Sequence, residues 1–375
     1  MIRRQFGGKA GEPETKILDY PIHQYRLMPL LAQAFAMHFT GVEVQTIYED
    51  LMNRIDSLNP GDSNIKEVLS HLKEVHGTSA GLKAFCTWNA LNTIDQCRQA
   101  LGGHGYSAYT GLASLYSDFA VQCTWEGDNT ILTLQAGRYL VGCYREAKAG
   151  IKQAGGVSYL NDLASLLKIR CSAKHPDDIT LGVIGDAYSL VAGNLVKKAG
   201  EDFASSLSKG IKEDEAYEDC SQARLHAAKM HSFGYLFQRF KDAVLKSPAS
   251  LKPILTKLCL LYGLYNIAEN SGPFLQYEFF TPRQIDWIKD KVSVLCKDVR
   301  QDAIPITDAF NFSDFIINSP FGRYDGNIYE SYFQMVKTAY PPARVPTYFK
   351  EVIYPILHPK EADDDQLELE DEDEE

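Results

Sequence analysis

NTILTLQAGRYLVGCYREAKAG, residues 129–150, is the stretch that decides the fold class. Its apolar residues recur every three or four positions, the spacing of one face of an α-helix. The predicted stripe consists of Ile131, Leu134, Arg138 and Val141. Asp128 or Asn129 can cap the start, because short polar side chains accept hydrogen bonds from the first free amides of a helix. We therefore predict an amphipathic helix here.

The same periodicity extends upstream. Residues 17–55 carry it with breaks only at Pro21 and Pro29. Residues 64–103 predict one or two further helices, which end at the paired glycines Gly102 and Gly103, as glycine commonly ends a helix. Together these segments predict an antiparallel bundle over about residues 15–148.

A second helical block follows a looser joint. Residues 177–210 open with capping acids, and residues 250–270 and 281–310 continue the helical pattern. One face of the intervening segment carries a strong apolar stripe: Phe233, Leu236, Phe237, Phe240 and Val244. No segment shows the sustained alternation of a sheet domain. The predicted fold class is all-α, with two consecutive helical-bundle domains.

Composition excludes several classes of function. The chain has 375 residues and is 45% apolar, and no run of about 18 apolar residues predicts a membrane span. Its net charge of -11 comes from residues 361–375, which hold eleven of the 49 acidic side chains and leave 38 of each sign elsewhere. This tail cannot bury apolar surface and is predicted to be disordered. The remainder has no basic field for nucleic acid.

Cysteine and histidine spacing predicts no metal site. The eight cysteines occur singly, without a CxxC pair, and indicate reduced thiols. The histidine pairs His71/His76 and His226/His231 are each five residues apart. That spacing places the two members on different helix faces, where they cannot share an ion.

Two short stretches could carry chemistry. In GGHGY, residues 102–106, bare glycine backbone would let a planar or phosphorylated ligand approach closely, but a helix cap followed by a tight turn has the same spacing. In CTWEGDNTI, residues 123–131, Trp125 could exclude water from Glu126 and so disfavour its charged form, as a general base requires. Gly127 would leave room for a substrate atom. An ordinary solvated glutamate in a surface turn explains that spacing equally well.

Several motifs in order resemble one family. CRQALGGHGY and CTWEGDNTILTLQAGRYLV are similar to the C-terminal half of peroxisomal acyl-CoA oxidases, and RRQFG, ILDYPIHQYRLMPLLAQAFA and GRYDGNIYESYF resemble other parts of it. The ending YFKEVIYPILHPKE is most like fungal members. The resemblance implies a first C-terminal helical domain at residues 1–150, a linker at 151–176, a second at 177–358 and an acidic tail at 359–375. Related acyl-CoA dehydrogenases lack the second block, which favours an oxidase.

The resemblance also implies a reaction and its residues. A fatty acyl-CoA would be desaturated to the trans-2-enoyl-CoA, with FAD accepting a hydride and O2 regenerating the flavin with release of H2O2. Glu126 falls where the family keeps its catalytic base, and Gly127 would contact the substrate. The implied cofactor contacts are Arg3, Gln5, Phe6, Gln24, Gln99, Gly102, Gly103, Asp128 and Thr130. Because the arginine motif would reach the FAD of a second subunit, a homodimer is expected.

The resemblance has one large departure. The family's N-terminal helical domain and its β-domain are missing from this sequence, so we expect either a fragment or a chain that works with a partner. The alternative function is a non-catalytic helical protein that dimerises with or modulates a full-length oxidase; a dehydrogenase is a third candidate. Peroxisomal residence follows from the resemblance alone, because the chain ends in Glu374-Glu375 rather than in a Ser-Lys-Leu signal.

Overall fold

The computed structural model describes residues 11, 13–59, 61–339 and 346–359. These residues are mainly helical and include no β-strand, so the all-α prediction is confirmed. The longer helices up to residue 311 are α1 Pro21–Asp56, α2 Ile65–Ala100, α3 Leu112–Ala120, α4 Asn129–Lys148, α5 Leu163–Leu166, α6 Leu181–Ser208, α7 Glu213–Asp219, α8 Ser221–Lys246, α9 Lys252–Glu269, α10 Ser271–Gln276, α11 Pro282–Gln301 and α12 Ala303–Asp308. Short 3-10 helices join them at Ile17–Asp19, Gly102–Tyr106, Val121–Cys123, Gly155–Leu160 and Pro176–Asp178.

One large apolar core lies between α1, α6, α8, α9 and α11. The apolar stripe predicted on α8 is confirmed, since Phe233, Leu236, Phe237, Phe240 and Val244 are all buried. Two fully buried tyrosines cross this core and satisfy their hydroxyls on main-chain carbonyls. Tyr188 donates to Gly263 O at 2.9 Å and Tyr262 donates to Phe233 O at 3.2 Å. A buried hydroxyl left without an acceptor would be costly.

The α4 helix forms as predicted, but only Val141 of the predicted stripe is buried. Ile131 is 60% exposed, and Arg138 is also exposed. The buried face consists mainly of Thr133, Ala136, Gly137, Leu140, Val141, Cys143 and Tyr144. A Cβ on Gly137 would lie 2.7 Å from Arg224 O, so α4 approaches α8 too closely for a large side chain. Small residues form this contact between α4 and α8. A search for large apolar side chains at helical spacing does not find them.

Three local predictions need correction or refinement. The α1 helix runs through Pro29, although proline lacks the amide that would bond one turn back; buried Met28, Ala32 and Ala36 hold it against the core. Residues 65–100 form one helix rather than two. The cap of α6 is Thr180, whose hydroxyl accepts from Val183 N at 3.5 Å, and not the preceding acids.

The α1 helix is also long and apolar enough, by length and composition alone, to cross a membrane. Its buried residues, however, include Met28, Leu30 and Ala32, which pack inside the structure. A core helix meets the same criterion, so this is weak evidence for a span.

The two predicted helical domains share packing. Met28 and Phe85 from the first block lie in the same core as Ile184 and Phe237 from the second. The predicted linker at 151–176 contains the helix Gly155–Leu160 and α5, and it buries Val157 and Leu160. Up to residue 311 the helices, residues 107–111 excepted, form one compact unit. The boundaries at 150 and 177 stay a prediction about family domains.

Among the described residues, a second unit contains residues 107–111, 312–339 and 346–359. Its helices are α13 Asp314–Ile317, α14 Ile328–Ala339 and α15 Tyr354–Leu357, with a 3-10 helix at Ala108–Thr110, another at Pro320–Gly322 and a π-helix at Phe349–Ile353. Within it, Ser107 Oγ and Tyr332 Oη lie 3.0 Å apart. Residues 360–375 lie outside the described residues, so the disorder of the acidic tail stays a prediction.

All eight cysteines are free, and four of them are buried: Cys143, Cys220, Cys259 and Cys296. Burial raises the pKa of the Cys86, Cys143 and Cys296 thiols to about 12. Burial also raises the pKa of Cys259. These thiols are therefore neutral at physiological pH.

Candidate active site

The turn that carries Glu126 joins the 3-10 helix Val121–Cys123 to α4. On its first side, Thr124 N and Trp125 N both donate to Val121 O, at 2.9 and 3.0 Å. On its second side, Asp128 caps α4 as predicted, because its Oδ1 accepts from Thr130 N at 2.9 Å and Ile131 N at 3.3 Å. Glu126 thus lies between two anchored ends.

The backbone inside this turn is left-handed. Glu126 has φ 54° and Gly127 has φ 104°. For a residue with a Cβ this conformation costs about 1–2 kcal/mol, so the surrounding contacts must hold Glu126 in place. A Cβ on Gly127 would also lie 2.9 Å from Leu132 Cδ2. Backbone conformation and Leu132 therefore explain the glycine, and its role toward a substrate stays a prediction.

A lysine from α2 holds the turn. Lys83 Nζ donates to Trp125 O at 3.0 Å, to Gly127 O at 2.8 Å and to Asn129 Oδ1 at 3.0 Å. The side chain of Asn129 is in turn fixed on α2, since it is 1% exposed and donates to Thr87 Oγ1 at 2.9 Å. Sequence reasoning missed Lys83 and Asn129 in this role, because a single lysine 43 positions before Glu126 carries no local signal.

The carboxylate of Glu126 is exposed to solvent. Trp125 is 50% exposed, and its indole Nε1 donates to Gln122 Oε1 at 3.0 Å. The prediction that Trp125 dries Glu126 is therefore wrong for this chain, because the indole is itself open to water. Within the described residues, no hydrogen bond or ion pair engages the carboxylate. A dry cleft at Glu126 would need further protein surface over it.

The paired glycines follow the end of α2 as predicted. Gly102 has φ 62°, the left-handed value common after a helix, and both Gly102 and Gly103 are exposed. A Cβ at either position would meet no atom within 4 Å. The backbone here is open to a ligand on that side, which fits the predicted flavin contact. Gly105 differs, because a Cβ there would collide with Arg98 O.

The predicted contact Gln99 already has partners inside the chain. Its Oε1 accepts from Arg26 Nη2 at 2.9 Å, and its Nε2 donates to Asp95 Oδ2 at 2.7 Å. Arg26 Nε also donates to Gln96 Oε1 at 2.9 Å, so this network ties α1 to α2. The side chain is exposed and retains one amide hydrogen for a ligand.

The remaining predicted contacts fall into three groups. Thr130 is exposed in the first turn of α4, next to the Glu126 turn. Gln24 is only 6% exposed on α1 and offers little surface to a cofactor. Arg3, Gln5 and Phe6 lie outside the described residues. The structure therefore brings Glu126, Gly127, Asp128 and Thr130 together at one turn, while Gln99, Gly102 and Gly103 lie at the end of α2.

Comparison with known proteins identifies the family. The family model for the acyl-CoA oxidase C-alpha1 domain matches residues 1–141, and the model for acyl-CoA oxidase matches residues 180–358. The chain is 42% identical to acyl-coenzyme A oxidase 2 of Yarrowia lipolytica over 99% of its own length and 53% of that protein. It is 36% identical to human peroxisomal acyl-coenzyme A oxidase 1, over 90% of the chain and 51% of that protein.

Solved structures agree. The crystal structure of acyl-CoA oxidase 3 from Yarrowia lipolytica matches with a TM-score of 0.87 and 39% identity, over 95% of this chain and 51% of that one. Acyl-CoA oxidase-2 of Caenorhabditis elegans, solved with FAD, ascaroside-CoA and ATP, matches with a TM-score of 0.83 and 28% identity, over 96% and 52%. The chain spans about half the length of the curated relatives it matches. On its helical fold and both family matches, the chain belongs to the acyl-CoA oxidase family.

Proposed function

We propose that the chain supplies the catalytic base of an FAD-dependent acyl-CoA oxidase, with Glu126 as that base. The observation that carries the proposal is a carboxylate held in an anchored left-handed turn and left without a partner among the described residues. Glu126 would take the α-proton of the thioester, which leaves the substrate ready to lose a hydride from its β-carbon.

FAD would supply the hydride acceptor in this reaction, and O2 would regenerate it with release of H2O2. The residues present fit such a cofactor in one respect, since Gly102 and Gly103 offer open backbone and Gln99 an exposed amide beside it. A related structure from Caenorhabditis elegans contains FAD. For this chain, FAD binding and the peroxide-forming reaction are part of the proposal.

A homodimer with a shared cofactor is also part of the proposal. Ala100, the last residue of α2, lies seventeen residues after Lys83, which corresponds to about 26 Å along the axis of an ideal helix. The Glu126 turn and the paired glycines are therefore at separate places on α2. This separation is compatible with contacts to the cofactors of two subunits, as the resemblance implies. Peroxisomal residence is supported by relatives that are named peroxisomal.

The experiment is a chimera in which this chain replaces the aligned half of Yarrowia lipolytica acyl-coenzyme A oxidase 2. Release of H2O2 from palmitoyl-CoA should be measured for the chimera and for Glu126→Gln. Because a positioned base contributes about 10²–10⁴-fold, turnover should fall by that factor. The control is Glu278→Gln, which makes the same change in another exposed left-handed turn. Normal turnover by Glu126→Gln would rule out Glu126 as the base.

A second candidate is a non-catalytic partner of a full-length oxidase. The observation that favours it is the exposure of Glu126, since this chain alone does not build a dry site. Size-exclusion chromatography of the chain mixed with full-length Yarrowia lipolytica acyl-coenzyme A oxidase 2 would then show a complex. The isolated chain would lack flavin absorbance. Oxygen uptake by the chimera distinguishes an oxidase from a dehydrogenase.

A further inference from the structure

Lys83 uses all three ammonium hydrogens on the segment around Glu126. Two of its acceptors are the main-chain carbonyls on either side, Trp125 O and Gly127 O, and the third is the amide oxygen of Asn129. Bonds from a charged donor are about twice as strong as neutral ones. The lysine therefore grips the backbone immediately before and after Glu126 while leaving the glutamate side chain untouched.

The other hydrogen bonds of the turn lie at its two ends. The amides of Thr124 and Trp125 bond to Val121 O, and those of Thr130 and Ile131 bond to Asp128. Within the described residues no intramolecular bond holds the amides of Glu126 and Gly127. The hydrogen bonds from Lys83 Nζ to Trp125 O and Gly127 O therefore link the backbone before Glu126 to the backbone after it. Strained backbone of this kind persists only where surrounding contacts over-determine it.

We infer that Lys83 is a positioning residue for Glu126, holding the turn so that the carboxylate is presented at one fixed place; this inference rests on the proposed role of Glu126. A proton transfer depends steeply on geometry, and displacement by about 1 Å can cost 10²-fold in rate. Because Lys83 is part of helix α2 and bonds to the carbonyls on both sides of Glu126, it fixes the backbone of Glu126 relative to α2. The lysine itself touches neither substrate nor cofactor in this role.

The first test is a double-mutant cycle in the chimera. Lys83→Met keeps the length of the side chain and removes its three donors, and it should lower kcat by about tenfold to a hundredfold with KM for palmitoyl-CoA changed less than twofold. Lys83→Arg, which keeps charged donors, should recover part of that loss. Lys66→Met is the matched control, because Lys66 lies exposed on the same helix with no partner in the described ranges.

The cycle separates positioning from a general structural role. If Lys83 acts through Glu126, Lys83→Met in the Glu126→Gln background should lower the residual rate less than twofold, measured as single-turnover flavin reduction. An equal loss in both backgrounds would overturn the inference, because Lys83 would then act independently of Glu126. Normal turnover by Glu126→Gln alone would instead overturn the proposed function, so the two failures are distinguishable.

The second test uses the 375-residue chain and needs no activity. Amide hydrogen exchange should become at least tenfold faster at Trp125 and Thr130 in Lys83→Met, because the turn would open more often. Leu140 in the middle of α4 should be unchanged, as should all three amides in Lys66→Met. Unchanged exchange at Trp125 and Thr130 would show that other contacts fix the turn and would contradict the inference.

Discussion

Glu126 and Glu278 have nearly the same positive φ in two different settings. Their φ values are 54° and 56°, and both are glutamates in a region that residues with a Cβ rarely adopt. The comparison asks what holds each in place. Local folding explains one of them, whereas the other depends on a side chain from a distant helix.

Glu278 follows the end of α10 in a Schellman arrangement. Its amide donates to Leu275 O at 3.0 Å, and Phe279 N donates to Phe274 O at 3.1 Å, the bond pattern of a helix that ends in a left-handed residue. Phe279 and Phe280 then enter the core at 2% exposure each. The Glu278 carboxylate pairs with Arg170 at 3.3 Å on the surface. The helix end and two buried rings account for this turn.

Glu126 has none of these supports. No amide of Glu126 or Gly127 closes a helix end within the described residues, and the preceding Trp125 is half exposed. Its carboxylate has no partner there, unlike that of Glu278. The difference teaches that left-handed strain alone does not indicate a functional site. A functional site is favoured when the strained residue also has a side chain without a partner and a neighbouring side chain that holds its backbone, as Lys83 does here.

The largest expected difference concerns the aromatic neighbours. Phe279→Ala should lower the free energy of unfolding by about 3–5 kcal/mol, because it empties a core position. Trp125→Ala should lower it by less than about 1 kcal/mol, since surface substitutions have small effects. Urea denaturation of the 375-residue chain measures both. Equal losses would mean that Trp125 stabilises its turn as Phe279 does, and the comparison would fail.

The next difference concerns the two cationic partners. Lys83→Met should destabilise the chain by about 0.5–1.5 kcal/mol, because Nζ makes three hydrogen bonds and water can replace it at the two exposed carbonyls. Arg170→Met should cost less than about 0.5 kcal/mol, since an exposed ion pair contributes little. Thermal unfolding followed by circular dichroism would report both. A larger loss of stability in Arg170→Met would show that the Arg170–Glu278 ion pair stabilises the fold more than the hydrogen bonds of Lys83 do.

The smallest effect should come from glycine in either turn. Glu126→Gly and Glu278→Gly relieve a left-handed strain of about 1–2 kcal/mol, which is largely offset by the greater freedom of glycine in the unfolded chain. Both variants should therefore unfold within about 1 kcal/mol of the parent in urea. A loss well above this in one variant only would reveal a stabilising contact of that glutamate side chain.

Helical periodicity was sufficient to predict the all-α fold and the α8 stripe, because large apolar side chains carry the core there. On α4 it was correct only for Val141, because part of the buried face consists of small residues such as Gly137, which lies close to Arg224 and carries no apolar side chain. It failed at Pro29 because packing outweighed the lost amide bond. Of the candidate site, local pattern predicted the Asp128 cap, whereas the role of Glu126 came from the family resemblance and stays a prediction. Local pattern could not predict the hydrogen bonds of Lys83, which exist only after α2 and the turn meet.

The neutral buried thiols have a consequence for a protein proposed to release hydrogen peroxide. Peroxide oxidises the thiolate form of cysteine, and burial keeps Cys143 and Cys296 almost entirely protonated by raising the pKa of each to about 12. The interior would therefore resist damage by the enzyme's own product for as long as it stays folded. Each excursion to an open state would expose these sulfurs, so oxidation by the enzyme's own product would depend on the fraction of molecules that are open as well as on the peroxide formed.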